Sequence, residues 1–280
     1  MKLPTAPRAT LFSLGKKYCA LAAVGAALAT TASAGPLEEL RSLTQLPAVD
    51  FAHLKAGKIV TDRGPLGDFS RGIYLESYYY IHAPLEAVGN GLLHWNPLQH
   101  RDPDVRLYHE YAFSSAAGVF KTLRLNSGFA GDRWLLDEIT RAARTGDAGD
   151  LHLTSEELAL LRQKPMPASE AWQEILRRRS EALARGGLAA VPPYGNDKSI
   201  SPGSEYRRLL SLAPKAARHF QPITSAQPLV SSGKAASESV GYWEATKVRD
   251  HTTLQLGAFA ARKSPDSWQL VDCVYYPTDT

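Results

Sequence analysis

The stretch RGIYLESYYYIHAPLEAVGNGLLHW, residues 71–95, determines the fold that the sequence predicts. Residues 73–81 are rich in β-branched and aromatic side chains, which favour a half-buried strand. Pro84 then suits the first turn of a helix, because that position needs no backbone N–H donor. Helical spacing puts four apolar side chains on one face of this helix: Leu85, Val88, Leu92 and Trp95. We therefore predict a strand that leads through a proline into an amphipathic helix.

Two glycines, Gly89 and Gly91, lie inside the predicted helix. Each lowers helix stability by about 1 kcal/mol relative to alanine. Glycine is used where another part of the chain must approach closely. We therefore predict that this helix packs tightly against the sheet.

The predicted strand carries tyrosines on one face, since alternate residues of a strand point the same way. Tyr74, Tyr78 and Tyr80 share that face with Glu76. Buried tyrosine usually has a partner for its hydroxyl, so these rings suit a pocket that is partly apolar and partly polar. Ordinary packing against a second layer explains the same pattern. Together with Trp95, the three tyrosines are the candidate ligand-binding residues.

Residues 1–34 have the three parts of a secretory signal peptide. A basic start precedes an apolar run over residues 18–30, and small residues follow at 32–34. This pattern predicts cleavage between Ala34 and Gly35, and hence a periplasmic or secreted bacterial protein. The apolar run is shorter than the roughly 20 residues of a membrane span, so we expect no transmembrane segment after cleavage. A retained N-terminal anchor is the alternative.

Cleavage would leave a chain with no net charge. The signal contains four of the 32 Lys and Arg and none of the 28 Asp and Glu, so 28 charges of each sign remain. A nucleic-acid-binding domain is typically basic, and we expect no nucleic-acid partner.

Cys273 remains as a single cysteine, so no internal disulfide can form. We expect its side chain to be buried among apolar neighbours and not to be a reactive thiol.

The middle of the chain predicts a hairpin and then a helical segment. Residues 105–113 and 119–125 alternate as two strands of a β-hairpin should. Residues 131–220 are helical in pattern, with the capping box Thr154–Glu157 before one helix. Ser169 is predicted to cap the next helix, and Gly186–Gly187 to end it.

That last helix contains Arg177-Arg178-Arg179. The triple arginine predicts a solvated helix face, and an anionic head-group site is the alternative. Three strand-like runs, 240–248, 252–261 and 268–276, then close the chain as an antiparallel meander.

These elements predict a single α+β domain over residues 35–280. Its antiparallel sheet has a helical segment, about residues 131–220, inserted between the early and late strands. The opening stretch of residues 71–95 resembles the start of START-like proteins, which implies a helix-grip fold around a cavity that often holds an apolar ligand. The same stretch, with GLAAVPPY (residues 187–194) and VDCVYYPTDT (residues 271–280), resembles an uncharacterised family of exported bacterial proteins. Members of that family continue past Tyr276 with further strands, so this resemblance implies a shortened form.

No catalytic or cofactor motif is present in the sequence. It lacks a G-x-S-x-G elbow, a phosphate-binding loop and a dinucleotide fingerprint, and we expect no cofactor. Residues 94–110 hold the metal candidates His94, His100 and His109 beside several carboxylates, although their spacing fits no known metal motif. The other interpretation of this segment is a polar loop after a helix.

Three functions remain open from the sequence. The first is a non-enzymatic exported protein that binds a lipid-like or other apolar molecule in a cavity of the sheet. The second is a hydrolase that uses His94, His100 or His109 with a carboxylate or a metal, and it needs two such groups within bonding reach. The third is an envelope assembly or interaction protein.

Overall fold

The computed structural model describes residues 20–27, 50–63, 75–78, 81–99, 104–195, 201–224, 238–264 and 267–276. Leu37, Leu40 and Leu43 recur at helical spacing, and the short helix that they predict within residues 35–49 lies outside these ranges. The strands are β1 (Ala20–Ala27), β2 (Val60–Arg63), β3 (Leu75–Tyr78), β4 (Val105–Tyr111), β5 (Glu238–Val248), β6 (His251–Ser264) and β7 (Ser267–Tyr275). The α-helices are α1 (Phe51–Lys55), α2 (Leu85–Leu93), α3 (Ala130–Thr145), α4 (Ser155–Gln163), α5 (Ala168–Gly186), α6 (Pro202–Leu212), α7 (Pro214–His219) and α8 (Gln221–Thr224). Two 3₁₀ helices span Phe113–Thr122 and Gly187–Ala190.

The main sheet is antiparallel and has the strand order β1-β7-β6-β5-β4. The last three strands form the predicted meander, with β5 and β6 joined at Arg249-Asp250. Strand β4 pairs with β5 although the helices α3–α8 separate the two in sequence. The α+β class and the helical insertion between early and late strands are therefore confirmed.

The strand of the opening stretch belongs to a second, smaller sheet. In its described part, β3 pairs antiparallel with β2, from Val60 opposite Tyr78 to Arg63 opposite Leu75. Within the described residues it does not join the main sheet. The helix-grip arrangement therefore stays a prediction.

Helix α2 packs on one face of the main sheet, as predicted. A Cβ atom at Gly89 would lie 2.3 Å from the indole of Trp268, whereas one at Gly91 would meet nothing within 4 Å. The close approach is thus confirmed for Gly89 and wrong for Gly91. Leu93 is fully buried and forms an apolar cluster with Trp268 and Leu270. Trp95, predicted on the buried face, is only half-buried.

The other face of the sheet carries the helical layer. Leu254, Leu256 and Ala258 of β6 point into it, since alternate residues of a strand share a face. Trp172 of α5 is fully buried there, and its indole N–H donates to the carbonyl of Leu135 at 3.2 Å. These contacts bury a continuous apolar core between helices and sheet.

Local predictions in the middle of the chain had mixed outcomes. The Thr154–Glu157 capping box is present, and α5 ends with Gly187 as its C-cap at a φ of 63°. The hairpin is wrong, because a 3₁₀ helix follows β4. Its three-residue repeat buries Phe120 and Leu123 on one side. The Ser169 cap is also wrong, since α5 begins two residues earlier, at Ala168 after its N-cap Pro167.

Candidate functional site

The predicted ligand-binding residues are only partly described. Tyr78 ends β3, and Trp95 is half-buried two residues after α2. Tyr74 and Tyr80 lie outside the described residues. A pocket formed by these four side chains stays a prediction.

The predicted metal histidines do not converge where they are described. His94 Nδ1 lies 3.4 Å from Glu110 Oε2. His109, the neighbour of Glu110 on β4, points to the opposite face and stacks on Trp243 with ring centroids 6.3 Å apart. His100 lies outside the described residues. Among the residues that are described, no three His, Cys, Asp or Glu side chains are grouped to hold a metal ion.

The sheet face that carries α2 also has a polar part, which we call the tyrosine–carboxylate face. It consists of alternate residues of β4, β5 and β7: Tyr108, Glu110, Tyr242, Glu244 and Asp272. Register brings them together, since Tyr108 lies opposite Glu244 and Glu110 lies opposite Tyr242. Carboxylates and phenols from three strands therefore share one surface.

Gly257 of β6 makes room for the ring of Tyr242. A Cβ atom at Gly257 would lie 1.9 Å from Cζ of that ring. The ring therefore crosses over β6, and its hydroxyl donates to the carboxylate of Asp272 on β7 at 3.0 and 3.1 Å. A larger residue at position 257 would block this contact.

Both tyrosines of the face are held as neutral hydrogen-bond donors. The Tyr108 hydroxyl donates to Glu110 Oε1 at 2.9 Å. Burial raises the pKa of Tyr108, and the adjacent Glu110 carboxylate raises it further. Burial also raises the pKa of Tyr242 well above its usual value, with Asp272 as the next largest cause. At neutral pH each phenol donates to a carboxylate and neither titrates.

Glu110 joins Tyr108 to His94 at the solvent-exposed edge of this face. The side chains of His94 and Glu110 are 54% and 28% exposed. In the tautomer that donates from Nδ1 to Glu110, the Nε2 lone pair of His94 is available to accept a proton. This pair can bind a polar group or act as a general base.

An aromatic row runs from this edge towards α2. The ring centroids of Tyr108 and Tyr242 are 5.6 Å apart, and those of Tyr242 and Phe259 are 5.2 Å apart. Phe259 in turn packs against the apolar cluster of Leu93 and Trp268. Polar groups thus lie at one end of the row and apolar side chains at the other.

The helical face of the sheet contains a small cavity. A cavity of about 10 Å³ is lined by Leu183, Gly187, Leu188, Leu256, Ala258, Cys273 and Tyr275. It is about the size of one water molecule, far below the roughly 300 Å³ of a small-molecule pocket. Cys273 is buried in this apolar lining, as predicted.

The triple arginine divides into two environments, so the prediction of a solvated face is wrong for Arg179. Arg177 and Arg178 are partly exposed and pair with Glu174 on the same helix. Arg179 is only 2% exposed and donates to both oxygens of Glu157 at 2.7 Å, and to the Tyr275 hydroxyl at 2.6 Å. This buried network joins α4, α5 and β7 and is closed to a ligand.

Comparison of the chain with protein-family models, curated proteins and solved structures finds no match.

Within the described ranges, none of the helices combines the length and the apolar character needed to cross a bilayer.

Proposed function

We propose that this chain is an exported, non-enzymatic protein that binds a small amphipathic molecule on the tyrosine–carboxylate face. The supporting observation is the aromatic row of Tyr108, Tyr242 and Phe259, which connects the His94–Glu110 edge to the apolar contact of α2. The ring of Tyr242 is only 3% exposed, so an apolar ligand body would contact the half-buried rings of Tyr108 and Phe259, and a head group that donates hydrogen bonds would contact the carboxylate of Glu110. The predicted signal peptide supports export to the periplasm or the medium.

The negative charge of Glu110 at the polar end of the row indicates which head group the ligand carries. Glu110 is the half-buried acceptor at the edge, and its two described partners are the Tyr108 hydroxyl and His94. A cationic head group beside a carboxylate gains a charge-assisted hydrogen bond, and the adjacent rings add a cation–π attraction. We therefore expect an alkylamine to bind more tightly than a fatty acid of the same length.

Two probes test this proposal: dodecylamine and laurate, titrated calorimetrically into the exported protein below their micelle concentrations. Dodecylamine should bind and laurate should not. Glu110→Gln should weaken dodecylamine binding about tenfold, since a charged hydrogen bond contributes roughly 1.5–3 kcal/mol. Glu156→Gln is the matched control, because Glu156 is exposed at the start of α4. Equal binding of both probes, or no effect of Glu110→Gln, would refute the proposal.

A hydrolase is the second candidate, because His94 and Glu110 lie within hydrogen-bond reach. An imidazole oriented by a carboxylate is a common general base. Hydrolysis of p-nitrophenyl acetate by the exported protein provides the test. Activity that is lost in His94→Ala and retained in His109→Ala would support the hydrolase, whereas a rate equal to that of free imidazole would exclude this chemistry.

A further inference from the structure

Strand β1 coincides with the apolar run of the predicted signal peptide. Its eight residues pair with β7, from Ala20 opposite Val274 to Ala27 opposite Ser267. Cleavage after Ala34 would remove this strand from the sheet. Among the described strands, β7 would then have a partner only on its β6 side.

Strand β7 has few of the features that normally prevent edge pairing. Proteins protect edge strands with proline, bulges or outward charges. Residues 267–275 contain no proline, and the β6–β7 register runs without a shift from Leu256 opposite Tyr275 to Ser264 opposite Ser267. The single charged residue, Asp272, accepts a hydrogen bond from the hydroxyl of Tyr242, whose ring crosses over β6 to reach it. An uncovered β7 is therefore ready to accept another strand.

Strand β7 is also complementary to itself. When two copies of one strand pair antiparallel about a two-fold axis, one residue must lie opposite its own copy. The reason is that two opposed residues must both direct their backbone N–H and C=O groups towards the partner strand, or both direct them away from it. Placing Val271 at the axis pairs the whole strand, from Ser267 opposite Tyr275 of the second copy. Asp272 then lies opposite Leu270, so the two carboxylates are not juxtaposed. A β-branched pair at the centre is favourable for cross-strand packing.

Helix α2 is compatible with this arrangement. It packs at the Trp268 end of β7 through Gly89 and also contacts β1 and β6. The two-fold axis places the second copy's α2 at the opposite end of the strand pair. The position of β1 shows that an antiparallel strand fits beside β7 with α2 in place.

We propose that the processed protein forms a two-fold dimer in which β7 pairs with β7 of a second copy about Val271. This dimer would join the two main sheets into one continuous sheet. The signal segment would occupy the same edge before cleavage, so dimerisation follows processing. The proposal rests on the sheet edge, and its argument does not use the ligand binding proposed for the sheet face.

The test uses the full gene, exported to the periplasm and purified under native conditions. Native mass spectrometry should give a mature mass that begins at Gly35, predominantly as a dimer. Cysteine cross-linking then tests the register in a Cys273→Ala background. Val271→Cys should form a disulfide-linked dimer on mild oxidation, because paired Cα atoms are about 4.5–5.5 Å apart, within disulfide range.

Leu270→Cys is the matched control on the same strand. Its copies would lie two residues apart along the strands, with Cα atoms about 8 Å apart, beyond the reach of a disulfide. Cross-linking of Val271→Cys alone supports the proposal. A mature monomer, an unprocessed chain, or equal cross-linking at both positions overturns it.

Discussion

The buried guanidinium of Arg179 permits a sharp test of what stabilises the helical layer. We consider Arg179→Met, which keeps an unbranched apolar stem and removes the guanidinium group with its charge. Four hydrogen bonds are lost: two to the Glu157 carboxylate, one to the Tyr275 hydroxyl and one to the carbonyl of His152. Glu157, itself 4% exposed, is left as a buried charge without its cation.

The expected decrease in the free energy of unfolding follows from this burial. Breaking a buried ion pair by removing one partner costs about 3–5 kcal/mol. The backbone N–H of Thr154 still donates to Glu157 at 2.8 Å, so the carboxylate is not wholly unsatisfied. We therefore expect a loss near 3 kcal/mol, the lower end of this range. That is a large fraction of the free energy of unfolding of a typical domain, which is roughly 5–15 kcal/mol.

Arg178→Met is the matched control, one residue earlier on the same helix. Arg178 is 43% exposed and pairs with Glu174 at 2.7 Å. An exposed pair of this kind contributes about 0–1 kcal/mol. Urea unfolding followed by far-ultraviolet circular dichroism gives both values, provided that the slope m is unchanged. The reasoning is refuted if both variants lose the same amount, or if Arg179→Met loses less than about 1 kcal/mol.

Three further outcomes are expected. Gly89→Ala should lower the melting temperature, because its Cβ would meet Trp268, whereas Gly91→Ala should stabilise the same helix by up to about 1 kcal/mol; equal shifts in a thermal melt would contradict the packing. Burial raises the pKa of Tyr242, so the free energy of unfolding should fall as pH rises above about 10, where the unfolded phenol ionises; urea titrations should show a shallower fall for Tyr242→Phe. The arginines beside Glu174 lower its pKa to about 2, so its contribution is present above about pH 4.5 and is lost as pH falls towards 2; parallel acid unfolding curves for the parent and Glu174→Gln would contradict this.

The parts of the fold predicted correctly depend on local sequence. The closing meander follows from period-two alternation and short turns, and the capping box needs only Thr154 and Glu157, three residues apart. The glycine at position 89 indicated a close approach without identifying Trp268 as the neighbour. The alternation predicted for residues 105–113 also puts Tyr108 and Glu110 on one face, since they are two residues apart in the strand. Each of these inferences uses only neighbours within one element or across one short turn.

The prediction for Arg179 failed because the environment of this residue is set by distant segments. Helical spacing does put Ile175, Arg179 and Leu183 on one stripe, and that stripe is buried. The sequence alone favours a solvated arginine, because an arginine is rarely buried without a partner. Its partner Glu157 comes from the preceding helix, and Tyr275 lies 96 residues away. Only the packed structure shows that the charge is satisfied.

Asp272 links the two proposals in one molecule. It accepts from Tyr242 on the tyrosine–carboxylate face and lies on β7, opposite Leu270 of the second copy in the proposed dimer. A ligand that competes for the Tyr242 hydroxyl would alter the environment of Asp272 at the dimer edge. Linkage then requires that the ligand changes the dimer affinity by the same factor by which dimerisation changes ligand affinity. Measuring dodecylamine affinity in the cross-linked Val271→Cys dimer and in a monomeric variant would determine that factor, and a ratio of one would show that the face and the edge act independently.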